Sequence, residues 1–136
     1  MSLARARKRA AATGRRGEKI AAGFLVSRGM TVLHRNFRCR AGELDIVALD
    51  GGEIVFVEVK TMRYRQRDMR PWVNLSANQR RHNRNAGKVY LKSTGAFVLN
   101  ARYDLVEVIL RGAFCVGLYH TRDYQPPLPA LPEEGG

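Results

Sequence analysis

The stretch Gly42-Glu43-Leu44-Asp45-Ile46-Val47-Ala48-Leu49-Asp50-Gly51-Gly52-Glu53-Ile54-Val55-Phe56-Val57-Glu58-Val59-Lys60-Thr61 decides the fold. Two runs rich in Val and Ile flank Gly51-Gly52, which reads as a two-residue hairpin turn joining a strand over 43–49 to one over 53–60. Closing the turn with Asp50 opposite Glu53 sets Leu49 opposite Ile54, Val47 opposite Phe56, Asp45 opposite Glu58 and Glu43 opposite Lys60. Apolar residues fall on both alternation phases: Val47, Leu49, Ile54 and Phe56 on one, Leu44, Ile46, Val55, Val57 and Val59 on the other. Both faces are therefore expected to be covered, which makes these central strands.

In that register Asp45, Glu58 and Lys60 share one face. Opposed Cβ atoms lie about 5 Å apart, and two carboxylates there repel by roughly 3 kcal/mol at an effective dielectric of about 20. A divalent cation converts that repulsion into a binding site. A three-residue loop would instead put Asp45 and Glu58 on opposite faces. The plain alternative is a solvated Glu58–Lys60 surface pair, worth under ~1 kcal/mol. Against it, Glu58 is embedded in an otherwise apolar run, and a buried carboxylate needs a partner.

Working outward, 16–28 reads as a helix with an apolar stripe of Ile20, Ala21, Phe24 and Leu25, stopped by Gly29. A strand is expected over 31–38. Ser76-Ala77-Asn78-Gln79 forms a capping box that opens a second helix to about Leu91. Strands follow over 96–99 and 103–110, with a further strand or loop through 113–119. The chain divides into a basic N-terminal arm (1–14), a folded domain (15–122) and a Pro-rich tail (123–136) expected to be disordered. The arm is either an unstructured solubilising segment or one that lies along phosphates. The order α-β-β-β-α-β-β, with a helix between strands, defines an α/β protein with a mixed central β-sheet flanked by helices.

Composition narrows the partners. The 136 residues hold 24 Lys plus Arg against 12 Asp plus Glu, a formal net charge of +12 that calls for a polyanion. Nucleic acid is preferred over an anionic membrane, because the arm lacks the bulky apolar residues of a membrane-surface helix. The longest apolar run, Ile20 to Val26, is far short of the ~20 residues a membrane span requires. Arg15, Arg16, Glu18 and Lys19 interrupt any signal-peptide core, which makes the protein cytoplasmic, although an Arg-rich presequence has a similar composition. Cys39 and Cys115 form no zinc spacing, and Cys115 reads as a reduced core residue. His34, His82 and His120 form no metal spacing either, and Asp104 is expected to serve structure through a hydrogen bond.

Asp45 followed by Glu58-Val59-Lys60 resembles the PD-(D/E)XK nuclease motif. With Gly17-Glu18, Asn36-Phe37-Arg38-Cys39-Arg40, Gly42–Val47, Val55–Thr61 and Arg102-Tyr103-Asp104-Leu105-Val106, the chain resembles the YraN-like family of uncharacterised bacterial proteins over about residues 14–120. The resemblance implies a restriction-endonuclease-like fold near the Holliday junction resolvases, and a metal-dependent endonuclease acting on duplex or branched DNA. RNA stays open, as does a non-catalytic nucleic-acid-binding protein on the same fold. It implies Asp45 and Glu58 as metal carboxylates and Lys60 as the catalytic lysine. Glu18 resembles the first-helix glutamate that completes the metal site in the resolvase-like branch, and the resemblance implies the Val59 carbonyl as a further oxygen. The cofactor is Mg²⁺ or Mn²⁺. A resolvase-like role implies a homodimer, which cuts two strands symmetrically.

The residues add detail of their own. Glu18 lies between Ala21 and Ala22 on a helical wheel, although a first-turn acid on the macrodipole accounts for it equally. The chain departs from the family pattern where Met62 stands between Thr61 and Arg63, the family often having Arg soon after Lys-Thr, and where Asn78-Gln79 stands in place of the usual Lys-Gln or Lys-Arg pair. Gln79 matches a motif glutamine of related nucleases, but the capping box already explains it. Glu43 is a secondary candidate. From Lys60 to Lys92 there are ten Lys or Arg and one acid, Asp68. Arg63, Arg65, Arg67 and Arg70 beside Tyr64 and Trp72 suit phosphate contact and stacking, though Trp72 reads slightly better as a packing residue. Arg80, Arg81, Arg84 and Lys88 are expected to form a basic face on the second helix.

Overall fold

The apolar stripe of the first helix and the doubly apolar strands meet as expected. The computed structural model describes residues 2–65, 77–96 and 99–124, the side chains of Ala77 and Gln79 excepted. Its elements are α1 (Leu3–Ser27), β1 (Thr31–Cys39), β2 (Gly42–Asp50), β3 (Glu53–Arg63), α2 (Ala77–Thr94), β4 (Asn100–Arg111) and β5 (Phe114–Thr121). The strands form one sheet in the order β1-β2-β3-β4-β5. β3 and β4 pair in parallel around the α2 crossover, and every other pair is antiparallel. The sheet is mixed, as the element order requires.

Each face carries its own core. Ile46, Ala48, Val55, Val57, Val59, Val106 and Val108 pack with Ala21 and Leu25 of α1. Val47, Ile54 and Phe56 pack with Ala86 and Tyr90 of α2. On the α2 side, Tyr90 meets Phe37 and Phe56 edge-on at centroid distances of 5.2 and 5.9 Å, a geometry that adds to area burial.

The hairpin register is the expected one. Asp50 pairs with Glu53, Leu49 with Ile54, Val47 with Phe56 and Ile46 with Val57. Gly51 holds φ 61°, the left-handed first position of such a turn. The ladder stops at Ile46↔Val57, and the alternation breaks there too. Leu44, in phase with Ile46, packs instead with Val47 on the α2 side. Asp45 sits at this break.

α1 ends in a Schellman motif: the Gly29 amide donates to Val26 and the Met30 amide to Leu25, with Gly29 at φ 89°. Its start differs from the sequence expectation. The basic arm continues the helix back to Leu3, capped by Ser2, whose Oγ accepts from the Arg5 amide. One contact docks the extension, Arg63 Nη2 donating to Thr13 Oγ1 at 3.0 Å, and at its junction with the expected helix Arg16 donates to the Ala113 carbonyl. Ala and Arg favour helix, and these contacts supply the anchoring that an amphipathic face would otherwise provide.

Other expectations change at the far end of the sheet. The strand expected over 96–99 falls half outside the described residues; Gly95 and Ala96 turn the chain, and β4 begins at Asn100. Cys115 is exposed rather than in the core, because it lies on the edge strand beside the β4–β5 turn. Phe97, Val98, Trp72, Ser76 and the tail from Gln125 lie outside the described residues. α2 begins at Ala77, where the capping box places it.

One glycine sets how closely α1 approaches the site. A Cβ at Gly17 would overlap the Thr61 side chain on β3. Gly17→Ala is expected to lower stability by about 1–3 kcal/mol through overpacking, although alanine by itself favours helix by about 1 kcal/mol. Urea unfolding measures this; a stabilised variant would show that α1 is free to shift.

Candidate metal and phosphodiester site

β2 and β3 part beyond Ile46↔Val57, and the gap is filled by side chains. The Val59 amide donates to Asp45 Oδ2 at 2.8 Å, so the carboxylate takes the place of a strand partner. Val59 keeps its side chain in the α1-side core. Its peptide is thereby fixed against Asp45. Lys60 Nζ lies 3.3 Å from Glu58 Oε1, with the Glu58 side chain only 13% exposed.

Asp45 and Glu58 share a hydrogen bond and perturb each other. The Asp45 pKa is raised to about 7, by burial first and by the Glu58 charge second, with the Val59 amide only partly offsetting both. Burial also raises Glu58, opposed by Lys60. The hydrogen bond favours the charged form of Glu58 and the neutral form of Asp45, so the proton between them sits on Asp45.

Glu18 projects toward the same place. Burial raises its pKa, and so does the Asp45 charge, while Arg35 and a hydrogen bond with Asn36 lower it. The wheel position therefore resolves in favour of the sheet. Glu18 stands within electrostatic reach of Asp45, yet among the described residues no three His, Cys, Asp or Glu side chains close a metal-binding cluster.

Glu43 is not opposite Lys60. It is exposed, pairs with Arg38 across β1–β2 and lies 3.4 Å from the Arg38 Nε. The correction follows from the early end of the β2–β3 ladder, which leaves Glu43 only its β1 neighbour. The backbone of Gln79 lies in the first turn of α2. Arg67 and Arg70 lie outside the described residues. Arg63 ends β3 and Arg65 follows it, both exposed. The expected basic face of α2 splits. Arg81 and Lys88, seven apart, are exposed, whereas Arg80 and Arg84, four apart, are half-buried. Arg84 lies over the Tyr103 ring at 6.0 Å, and its carbonyl accepts from the Tyr103 hydroxyl.

Two features escape sequence reading. Glu107 is 5% exposed on β4, in register with Lys60. Its place beside the lysine depends on the parallel β3–β4 pairing, which local spacing does not encode. The second is a charged network at the hairpin end. Asp104, fully buried, accepts from Arg102, from the Asp123 amide and shares 2.8 Å with His120 Nε2. Asp104 was expected to serve structure through one hydrogen bond; it makes several.

The raised Asp45 pKa has a sign for stability. Between about pH 4 and 7 the folded chain holds a proton that the unfolded chain releases. Stability is therefore greatest at the low end of this window and is lost as pH rises through about 7. Asp45→Asn should flatten this dependence and raise stability at pH 8 by about 1–2 kcal/mol. Denaturant unfolding of both proteins at pH 5.5 and 8 checks it; an unchanged difference between the two pH values would refute it.

The fold and its acid–acid–lysine site thus define a mixed α/β domain with a chemically loaded gap at one end of its central hairpin. The chain matches the model of "Uncharacterised protein family UPF0102" over residues 17–108. It belongs to that family, the YraN-like group of the sequence resemblance. It is 44% identical over 95 residues to a UPF0102 protein of Symbiobacterium thermophilum, covering 70% of this chain and 80% of that one. It is 42% identical over 100 residues to one of Pelobacter propionicus (72% and 71%), and 38% over 103 residues to one of Syntrophus aciditrophicus (76% and 80%). Among the described residues no helix is long and apolar enough to cross a membrane.

Proposed function

We propose that this protein is a metal-dependent endonuclease that hydrolyses phosphodiester bonds in cytoplasmic DNA, duplex or branched, with Mg²⁺ or Mn²⁺ as cofactor. The observation that carries the reading is the half-buried Asp45–Glu58 pair with Lys60 3.3 Å from Glu58, set where two central strands part. A chain selected for stability alone avoids such a pair.

The donor set fits the ion. It is all oxygen and holds two acids that repel each other. Mg²⁺ keeps several waters and is usually held by one or two carboxylates, so a closed three-donor cluster is not required. Asp45 and Glu58 would hold it, with the Val59 peptide alongside and Glu18 behind Asp45 to bind a water. When bound, the ion supplies charge neutralisation at the scissile phosphate and a lowered pKa for the attacking water. Lys60 carries a positive charge to the pentavalent phosphorus or positions the water. Arg63, Arg65, Arg81 and Lys88 give exposed cations for the backbone of the substrate.

The test is cleavage of labelled duplex, flap, four-way junction and single-stranded DNA, with Mg²⁺, Mn²⁺ or EDTA. Metal-dependent cutting of at least one substrate is expected. Salt-sensitive binding with no cutting would leave a non-catalytic nucleic-acid-binding protein. A second readout is thermal: millimolar Mg²⁺ should raise Tm at pH 8 in the wild type and not in Asp45→Asn.

A further inference from the structure

On the side of α1 away from Glu18 lies a groove of about 750 Å³ between the helix and the β4–β5 turn. Ile20, Ala113 and Phe114 give it an apolar floor, and Arg15, Arg16 and Lys19 line its rim. Arg16 is committed to the Ala113 carbonyl and pins the turn against the helix. Arg15 and Lys19, four apart on one face, are exposed. Phe114 is 74% exposed.

We infer that this groove binds a single strand of nucleic acid, with a base stacked on Phe114 and the adjoining phosphates on Arg15 and Lys19. Cations beside an open aromatic face are the chemistry that single-strand sites use. The flanking charge selects a polyanion over an apolar partner. The groove does not belong to the acid site. β5 is three strands from β2, about 14 Å, and Phe114 lies some five residues further along the sheet than Val59, about 17 Å. Together that is about 22 Å, a span of roughly six to seven stacked nucleotides at 3.4 Å each. A strand held on Phe114 must therefore pass around α1 to come near the carboxylates, which a longer substrate does. This link to cleavage rests on the nuclease reading; binding itself does not.

The experiment is fluorescence anisotropy in EDTA. The probes are a 12-nucleotide DNA strand, the same strand as RNA, and a 12-base-pair blunt duplex. Phe114→Ala should weaken single-strand binding about tenfold and duplex binding less than twofold. Phe114→Trp should restore it. Arg15→Ala with Lys19→Ala should weaken all three probes and lower the single-strand salt slope by about 1.4. A preference between the DNA and RNA strands identifies the natural ligand. Unchanged single-strand affinity in Phe114→Ala overturns the inference. So does loss of a dimer on sedimentation with affinity intact, which would make the groove a contact between copies. Phe114-dependent binding with cleavage indifferent to Phe114 overturns only the link between groove and acid site; Phe114-dependent binding without cleavage sinks the nuclease reading alone.

Discussion

Lys60→Met is expected to lower metal-dependent cleavage by about 10²–10³-fold, the usual cost of removing one preorganised charge from a transition state. Lys60 Nζ is 3.3 Å from Glu58 and is 31% exposed, so it is held by the acid yet open to a substrate. Asp45→Asn and Glu58→Gln should each abolish cleavage to background, because each removes half of the carboxylate pair. Their combination should cost little more than either alone, since groups that act as a unit are not additive. Single-turnover cleavage, with unfolding curves as the folding control, measures this. Cleavage surviving in all three single variants would place the chemistry elsewhere.

The second large effect is on stability. Arg102, 9% exposed, donates to Asp104 at 3.0 Å, to Glu53 at 2.6 Å and to Asp50 at 2.9 Å. It ties the β2–β3 turn to the start of β4. Arg102→Ala leaves the fully buried Asp104 without its guanidinium and should cost about 3–5 kcal/mol. For a domain of this size that lowers Tm by about 10 °C or more. Asp104→Leu combined with Arg102→Leu should recover much of the loss, because removing both charges removes the desolvation cost as well. Calorimetry of the single and double variants decides it. A single variant within 1 kcal/mol of wild type would mean that His120 and the Asp123 amide suffice to hold Asp104.

These two predictions separate what local sequence can carry from what it cannot. The hairpin was legible because side-chain period and turn length are local: Gly51-Gly52 sets the register, and doubly apolar strands require two covering layers. That logic reached Asp45, Glu58 and Lys60. It failed beyond Ile46↔Val57, where Asp45 is no ladder partner of Glu58, Leu44 changes face and Glu43 is not opposite Lys60. There the ladder ends and the period breaks, because the Asp45 carboxylate takes the Val59 amide.

By itself the sequence determined the layers, the mixed sheet, the central hairpin and the family. All follow from periodicities of two and 3.6 and from short motifs. Tertiary structure alone decided which charges meet. It carried Glu18 across from α1 to Asp45, set Glu107 beside Lys60 through the parallel β3–β4 pairing, and joined Asp50, Arg102 and His120 through Asp104. It turned Arg84 inward, exposed Cys115 and Phe114, and continued α1 through the arm. The physical reason is the same in each case. Burial and Coulomb energy depend on distance in space, and residues as far as 97 positions apart become neighbours only when the sheet is assembled.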